Sequence, residues 1–406
     1  VAFADPVLPR VPHPLRSAAY RRLWIGGSIS LLGDQFYFVS LPWLVLQLTG
    51  SALAMSTILM TGAIPRAVLM LMGGALSDRL SPRRIMIGTA LSRTVLVTAI
   101  GALLAWHSLH MWELYLLAFT FGVADAFAMP ASSAYLPLIV EREQLVQANS
   151  VSQTTGQLVT IAGPAPAAIV LKTLGAAWAF FLDALSFLAI LAALWTLPDP
   201  PARPKAAKKP MWRSIVEGIR AVRSDQPLSV LMLMATVINF CLTGPIAVGL
   251  PDLASSRFHS PTAFAVLLSS VASGGLLGAL LAGVWKIHHK GLLMLGGSAF
   301  IGLCIASIGL LPKLWLIAAI LLLTGIAAGL VNLHILTWIQ QRVDATTRGR
   351  VMSVLMVASI GLMPLSLAAG GVLAQWSLKW MFVIAGVATM AVAAAATRLR
   401  TLREIS

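Results

Sequence analysis

Twelve apolar runs, each long enough to cross a bilayer as a helix, leave this chain few ways to fold. They are Leu23–Leu48, Ala52–Leu76, Ile85–Trp106, Trp112–Leu136, Val151–Leu171 and Trp178–Leu197, then Leu228–Leu250, Ala263–Trp285, Leu292–Leu311, Trp315–Ile339, Val351–Leu373 and Trp380–Ala396. A spanning helix needs about 20 apolar residues to cross a hydrocarbon layer roughly 30 Å thick. Charged residues make up 11% of the chain, against roughly 25% in a soluble domain, so it cannot clothe itself in a water-facing surface. Peptide groups in hydrocarbon must find their partners within the segment, which makes each run a helix. The fold class is an all-α polytopic membrane protein.

The placement of charge orients it. A net charge of +15 would point to nucleic acid in a soluble protein, but here the charge follows the spans. With the N-terminus cytoplasmic, 23 of the 29 Lys and Arg fall in cytoplasmic segments. The other side holds Lys172, Arg257, Lys313 and Lys379, while Arg66 and Arg93 lie within spans. That is a positive-inside pattern. It predicts twelve spans with both termini cytoplasmic, in the cell (inner) membrane, and no nucleic-acid partner. Eight tryptophans, Trp106 and Trp112 among them, sit near span ends, where interfacial tryptophans belong. Cys241 and Cys304 both lie in apolar runs and make neither a disulfide framework nor a metal site. No phosphate-binding loop, catalytic constellation, metal spacing or cofactor motif appears, which counts against ATP-driven transport and against an enzyme; the chain is expected to be a monomer. Residues 1–22 carry no short apolar core of a secretory signal.

The chain divides in two. A cytoplasmic arm (1–22) leads into six spans (23–197). A linker rich in Pro and Lys with an amphipathic segment (198–227) leads to six more spans (228–397) and a cytoplasmic tail (398–406). In the linker, Met211, Trp212, Ile215, Ile219 and Val222 recur at helical spacing opposite Arg213, Glu217, Arg220 and Arg223, the pattern of a helix lying on the membrane surface. Shifting the first half by 209 puts Leu41-Pro42 on Leu250-Pro251, and shifting by 200 puts Pro164 on Pro364. Six plus six around a linker predicts two repeats related by an axis along the membrane normal.

The turn Gly74-Ala75-Leu76-Ser77-Asp78-Arg79-Leu80-Ser81-Pro82-Arg83-Arg84 resembles the loop between helices 2 and 3 of the major facilitator superfamily, with Gly74, Asp78, Arg79 and Arg83 at matching positions. Ala128-Met129-Pro130-Ala131, Phe181-Leu182-Asp183-Ala184-Leu185-Ser186-Phe187 and Arg348-Gly349-Arg350-Val351 resemble its exporter branch, which includes macrolide-efflux and enterobactin-export proteins. Gly163-Pro164 resembles part of the glycine-proline motif of antiporters, without its glycine-rich flanks. The resemblance implies two pseudo-symmetric six-helix bundles that alternate in access around a central cavity. It also implies a cytoplasmic gate in which Asp78 meets the N-terminus of the eleventh helix, near Val351.

Ionisable residues inside spans are the candidate functional groups, because each costs roughly 2.5–3.5 kcal/mol at a span centre. Asp34, Arg66, Arg93 and Asp125 lie near span centres, and Asp183 about two turns from an end. The second half offers Asn239, Asn332 and His334. Spans 1, 4, 7 and 10 line the cavity in the superfamily, so Asp34 and Asp125 are expected to face it. Burial penalises a charged carboxylate, which suits a proton carrier that a cationic substrate displaces. The alternative is that Asp34–Arg93 or Asp125–Arg66 are static ion pairs; Arg66, following Pro65, could instead serve carbonyls freed by the proline. Asp183 is expected to be structural. Many proton-coupled exporters of the superfamily carry an arginine upstream of a glycine like Gly122; here that stretch reads Ala118-Phe119-Thr120-Phe121. The expected activity is proton-coupled export of a hydrophobic or amphipathic small molecule. The competing expectations are an importer, facilitator or lysolipid flippase on the same fold, or a receptor or scaffold that moves nothing.

Overall fold

The computed structural model describes residues 13–77, 81–199, 211–285 and 289–398. Asp78 and Arg79 of the gate turn lie outside the described residues, as does most of the linker. Among the described residues every regular element is helical. The first half comprises α1 (Ala18–Thr49), α2 (Ala52–Ser77), α3 (Pro82–Ala105), α4 (Met111–Ile139), α5 (Leu145–Ala162), α6 (Pro164–Thr173) and α7 (Ala176–Trp195). The second comprises α8 (Met211–Ser224), α9 (Gln226–Gly244), a π-helical turn (Pro245–Gly249), α10 (Leu250–Ser256), α11 (Pro261–Val284), α12 (Lys290–Ile308), α13 (Leu314–Arg342), α14 (Ala345–Gly361) and α15 (Met363–Thr397).

Among the described residues eleven segments are long and apolar enough to span, and the last, Arg350–Thr397, has 48 residues. At 1.5 Å per residue that is roughly 70 Å, enough for two crossings. The divide is Ser377, whose φ of −166° and ψ of 114° break the helix. Proline and glycine set the other breaks. Pro164, which lacks an N–H, splits the fifth span into α5 and α6, and Gly50 ends α1 at a φ of 62°, where a side chain would be strained. Gly163, at the α5–α6 joint, has Gln35 of α1 directly against it.

Both halves have the same neighbours. The second span packs on the fourth (α2 on α4, α11 on α13), and the third on the sixth (α3 on α7, α12 on α15). The first packs on the sixth as well (α1 on α7, α9 on α15). Glycine makes the second-to-fourth contacts possible: a Cβ on Gly122 would drive into the Gly62 carbonyl, and one on Gly274 or Gly278 into the carbonyls of Leu322 or Ile326. Such small residues let helix backbones approach where lipid supplies no hydrophobic drive. Because the obstacle is backbone, Gly122→Ala should cost about 1–3 kcal/mol, read as a lower unfolding temperature of the purified protein in detergent.

We call the end where α1 starts and α7 stops the linker end. The halves meet at the opposite end, where Ser51 Oγ donates to Gln375 Oε1 at 3.0 Å and Gly371 packs against Ser56. They also meet midway, where Ser269 Oγ donates to the Ile161 carbonyl at 2.7 Å. At the linker end Arg83 donates to the carbonyls of Leu194 (2.7 Å) and Trp195 (3.1 Å), closing the last turn of α7. Arg84 pairs with Asp199 at 3.0 Å. The Ser81 hydroxyl, joined by Arg84, holds the Asp199 carboxyl below its usual range, so this tie is in force at neutral pH and released on acidification.

The amphipathic segment does form a helix, α8, and it is clamped on protein. Gly218 lies against the Arg350 carbonyl and Val354 of α14, and Glu217 pairs with Arg350 at 3.0 Å. Val222 is buried. Asp225 then caps α9, accepting from the Leu228 N–H at 3.2 Å, and pairs with Arg342 of α13 at 2.6 Å.

Candidate functional site

Small residues on one face of α1 keep the linker-end half of the first bundle open. Gly27, Ser28, Ser30, Leu31 and Asp34 line a cavity of about 520 Å³, together with Thr89 and Arg93 of α3, Asp125, Met129 and Ser132 of α4, Asn149, Ser152 and Thr155 of α5, and Arg66 of α2. Its mouth is ordered by side chains whose role sequence periodicity did not signal. Tyr20 donates to the Ala148 carbonyl at 2.8 Å, and Trp24 Nε1 donates to Thr155 Oγ1 at 3.0 Å.

Four of the five span charges meet at the inner end of this cavity. Asp125 receives both arginines: Arg66 Nη2 on Oδ2 at 2.6 Å, and Arg93 Nη2 on Oδ1. The Arg93 guanidinium also lies over Phe121, 4.6 Å from the ring centroid, and near Phe187 at 5.6 Å. Tyr37 stacks on the other neighbour of that cation, Phe121, at 4.1 Å with the rings nearly parallel. A desolvated cation on aromatic faces is stabilised by the ring quadrupole, so α3, α4 and α7 fix Arg93 in place. The Asp125–Arg66 pair of the sequence reading is present, with Arg93 joining it rather than pairing Asp34. Asp34 lines the same cavity, and its Oδ1 is sealed from solvent with no hydrogen-bond partner.

A second, apolar chamber of about 240 Å³ adjoins the first and is shared by the two halves. Tyr37, Phe121 and Ile58 line it from the first half, and Ile246, Phe264, Leu268 and Met363 from the second. Phe38 and Arg66 line both spaces. The arrangement can hold one end of a molecule by charge and the other by apolar contact.

Residues 12–406 match the profile of the family described as transmembrane secretion effector. The chain belongs to this family of the major facilitator superfamily. Macrolide efflux protein A of Streptococcus pyogenes is 28% identical over 299 residues, covering 72% of this chain and 73% of the relative. The multidrug efflux pump Tap of Mycolicibacterium fortuitum is 28% identical over 387 residues, covering 92% and 93%. The crystal structure of the nucleoside transporter NupG superposes with a TM-score of 0.75 at 12% identity, covering 96% of this chain and all of that one; this likeness shows the fold. The chain is thus a multi-pass membrane transporter of the major facilitator fold.

Within this transporter the other candidate residues stand apart from the charge cluster. Asn239 of α9 is exposed and accepts from Thr243 Oγ1 at 3.3 Å, while Asn332 of α13 is exposed. His334 is buried, its Nδ1 on the Leu330 carbonyl one turn away at 2.8 Å. None of the three lines either space described above. The first cavity is lined wholly from the first half, so of the four expected cavity helices only α1 and α4 reach it. Gly163 and Pro164 shape the α5–α6 joint against α1, and Gly74 lies near the end of α2.

Proposed function

We propose that this transporter exports an amphipathic, singly charged cation in exchange for protons, with Asp34 as the group that holds proton and substrate in turn. The carrying observation is the contrast between two acids in one cavity. Asp125 is held by two arginines, whereas Asp34 has a buried oxygen with no hydrogen-bond partner among the described residues. Asp125 and its arginines sum to one positive charge, so an ionised Asp34 makes the cluster neutral. A proton or a monovalent cation on Asp34 brings it to the same net charge, and either ligand loads the carrier equivalently. The adjoining apolar chamber suits the lipophilic part of such a substrate. Export, rather than import, is supported by the efflux activity named in the relatives.

The thermodynamics suffice. The proton that enters and the cation that leaves carry one charge each, so the membrane potential cancels and the pH difference drives the exchange. Each pH unit contributes about 1.4 kcal/mol and sustains about a tenfold gradient of substrate. In proteoliposomes with an imposed pH gradient, erythromycin (a macrolide bearing one amine) should accumulate against its own gradient; collapse of the pH gradient should abolish the accumulation, and collapse of the electrical gradient alone should not. Uptake that ignores the pH gradient would sink the antiport reading.

A further inference from the structure

Asp183 is the buried ionisable group that the exchange site leaves unused. It is on α7, one turn deeper than Phe187, which lines the cavity, and it is entirely inaccessible to solvent. Neither carboxyl oxygen has a hydrogen-bond partner. Ser186 Oγ donates to the backbone carbonyl of Asp183 at 2.7 Å, not to its carboxyl group. Gly33 of α1 closes the site: a Cβ there would lie 3.0 Å from Asp183 Oδ1 and collide with Ser186. Asp34 is the next residue on α1.

Asp34 and Tyr37 from α1 and Arg93 from α3 are close enough to act on Asp183 electrostatically. The third helix against α7, α6, carries only Lys172, near its far end. Arg93 is already balanced by Asp125. An ionised carboxylate with no donor in such a place costs several kcal/mol, and two carboxylates sharing one site do not both ionise readily.

We propose that Asp183 and Asp34 form a two-carboxyl proton site in which Asp183 keeps its proton while Asp34 is ionised. Asp183 is a positioning residue: as a neutral acid it leaves Asp34 the one free negative charge offered to the cavity. The proposal deepens the exchange reading and rests on it for its consequence, but its test needs no substrate. In pH-difference infrared spectra of the protein in liposomes, a carboxylic-acid C=O band should be present at neutral pH. Asp183→Asn should remove this band and Asp34→Asn should retain it. Where the asparagine variant does not insert, Asp183→Glu assigns the band by moving it. On alkaline titration the band should vanish about one pH unit earlier in Asp34→Asn than in the unaltered protein, because the neighbouring carboxylate is gone. No Asp183 band at neutral pH, an unchanged titration, or persistence of the band in both proteins overturns the pair. The exchange reading fails separately, if Asp34→Asn leaves gradient-driven transport intact.

Discussion

Asp125→Asn is expected to lose about 3–5 kcal/mol of stability, because it strands two arginine charges inside the first bundle. Arg66 and Arg93 both spend a guanidinium nitrogen on Asp125, and the Nε of each is already buried without a partner. Asparagine keeps the shape but removes the charge, leaving both cations between α2, α3 and α4 without their ion-pair partner. The measurement is the unfolding temperature of purified protein in detergent, with yield from the membrane as a second readout. Removing one cation as well should recover part of the loss, so Asp125→Asn with Arg66→Met should be more stable than Asp125→Asn alone. An Asp125→Asn protein as stable as the parent would mean that the arginines are hydrated through the cavity, and that the pair is not structural.

Asp34→Asn is expected to do the reverse, sparing the fold and removing the coupling. Its buried oxygen makes no hydrogen bond that the substitution would break, and the amide is isosteric with the protonated acid. A neutral residue binds neither proton nor cation by charge, so gradient-driven accumulation of erythromycin should fall at least tenfold, with the unfolding temperature unchanged. Passive exchange down the substrate's own gradient would lose its pH dependence. Transport with an unaltered pH profile would remove Asp34 from the carrier role and return the choice to Asp125.

The two acids illustrate how differently sequence and structure inform a membrane protein. Both stand near span centres, both have small residues on their face, and both sit within reach of Arg66 and Arg93 by depth alone. Nothing along the chain ranks one above the other. A rotation of one helix by a single residue moves a side chain through about 100°, and a slide of one turn moves it about 5.4 Å, enough to exchange the partners of Asp34 and Asp125. The packing of Gly122 on Gly62 and of Gly33 on α7 sets those rotations. The same limit explains Tyr20 and Trp24, whose bonds to the fifth span depend on where α5 starts relative to α1. It explains α8 too: its apolar face was legible, but its seat on Arg350 and Val354 depended on where α14 begins.

What the sequence determined alone was everything paid for locally by the bilayer: helices as the regular element, the crossings and the few charges that need a reason to be buried. These follow from hydropathy, length and backbone chemistry, which are properties of each segment by itself. Only the tertiary structure decided which charges neutralise each other, that the cavity belongs to the first half, and that Asp34 Oδ1 and both Asp183 oxygens lack a hydrogen-bond partner among the described residues. Ion pairing between helices falls off over a few ångströms, so it depends on relative placement that no single segment encodes.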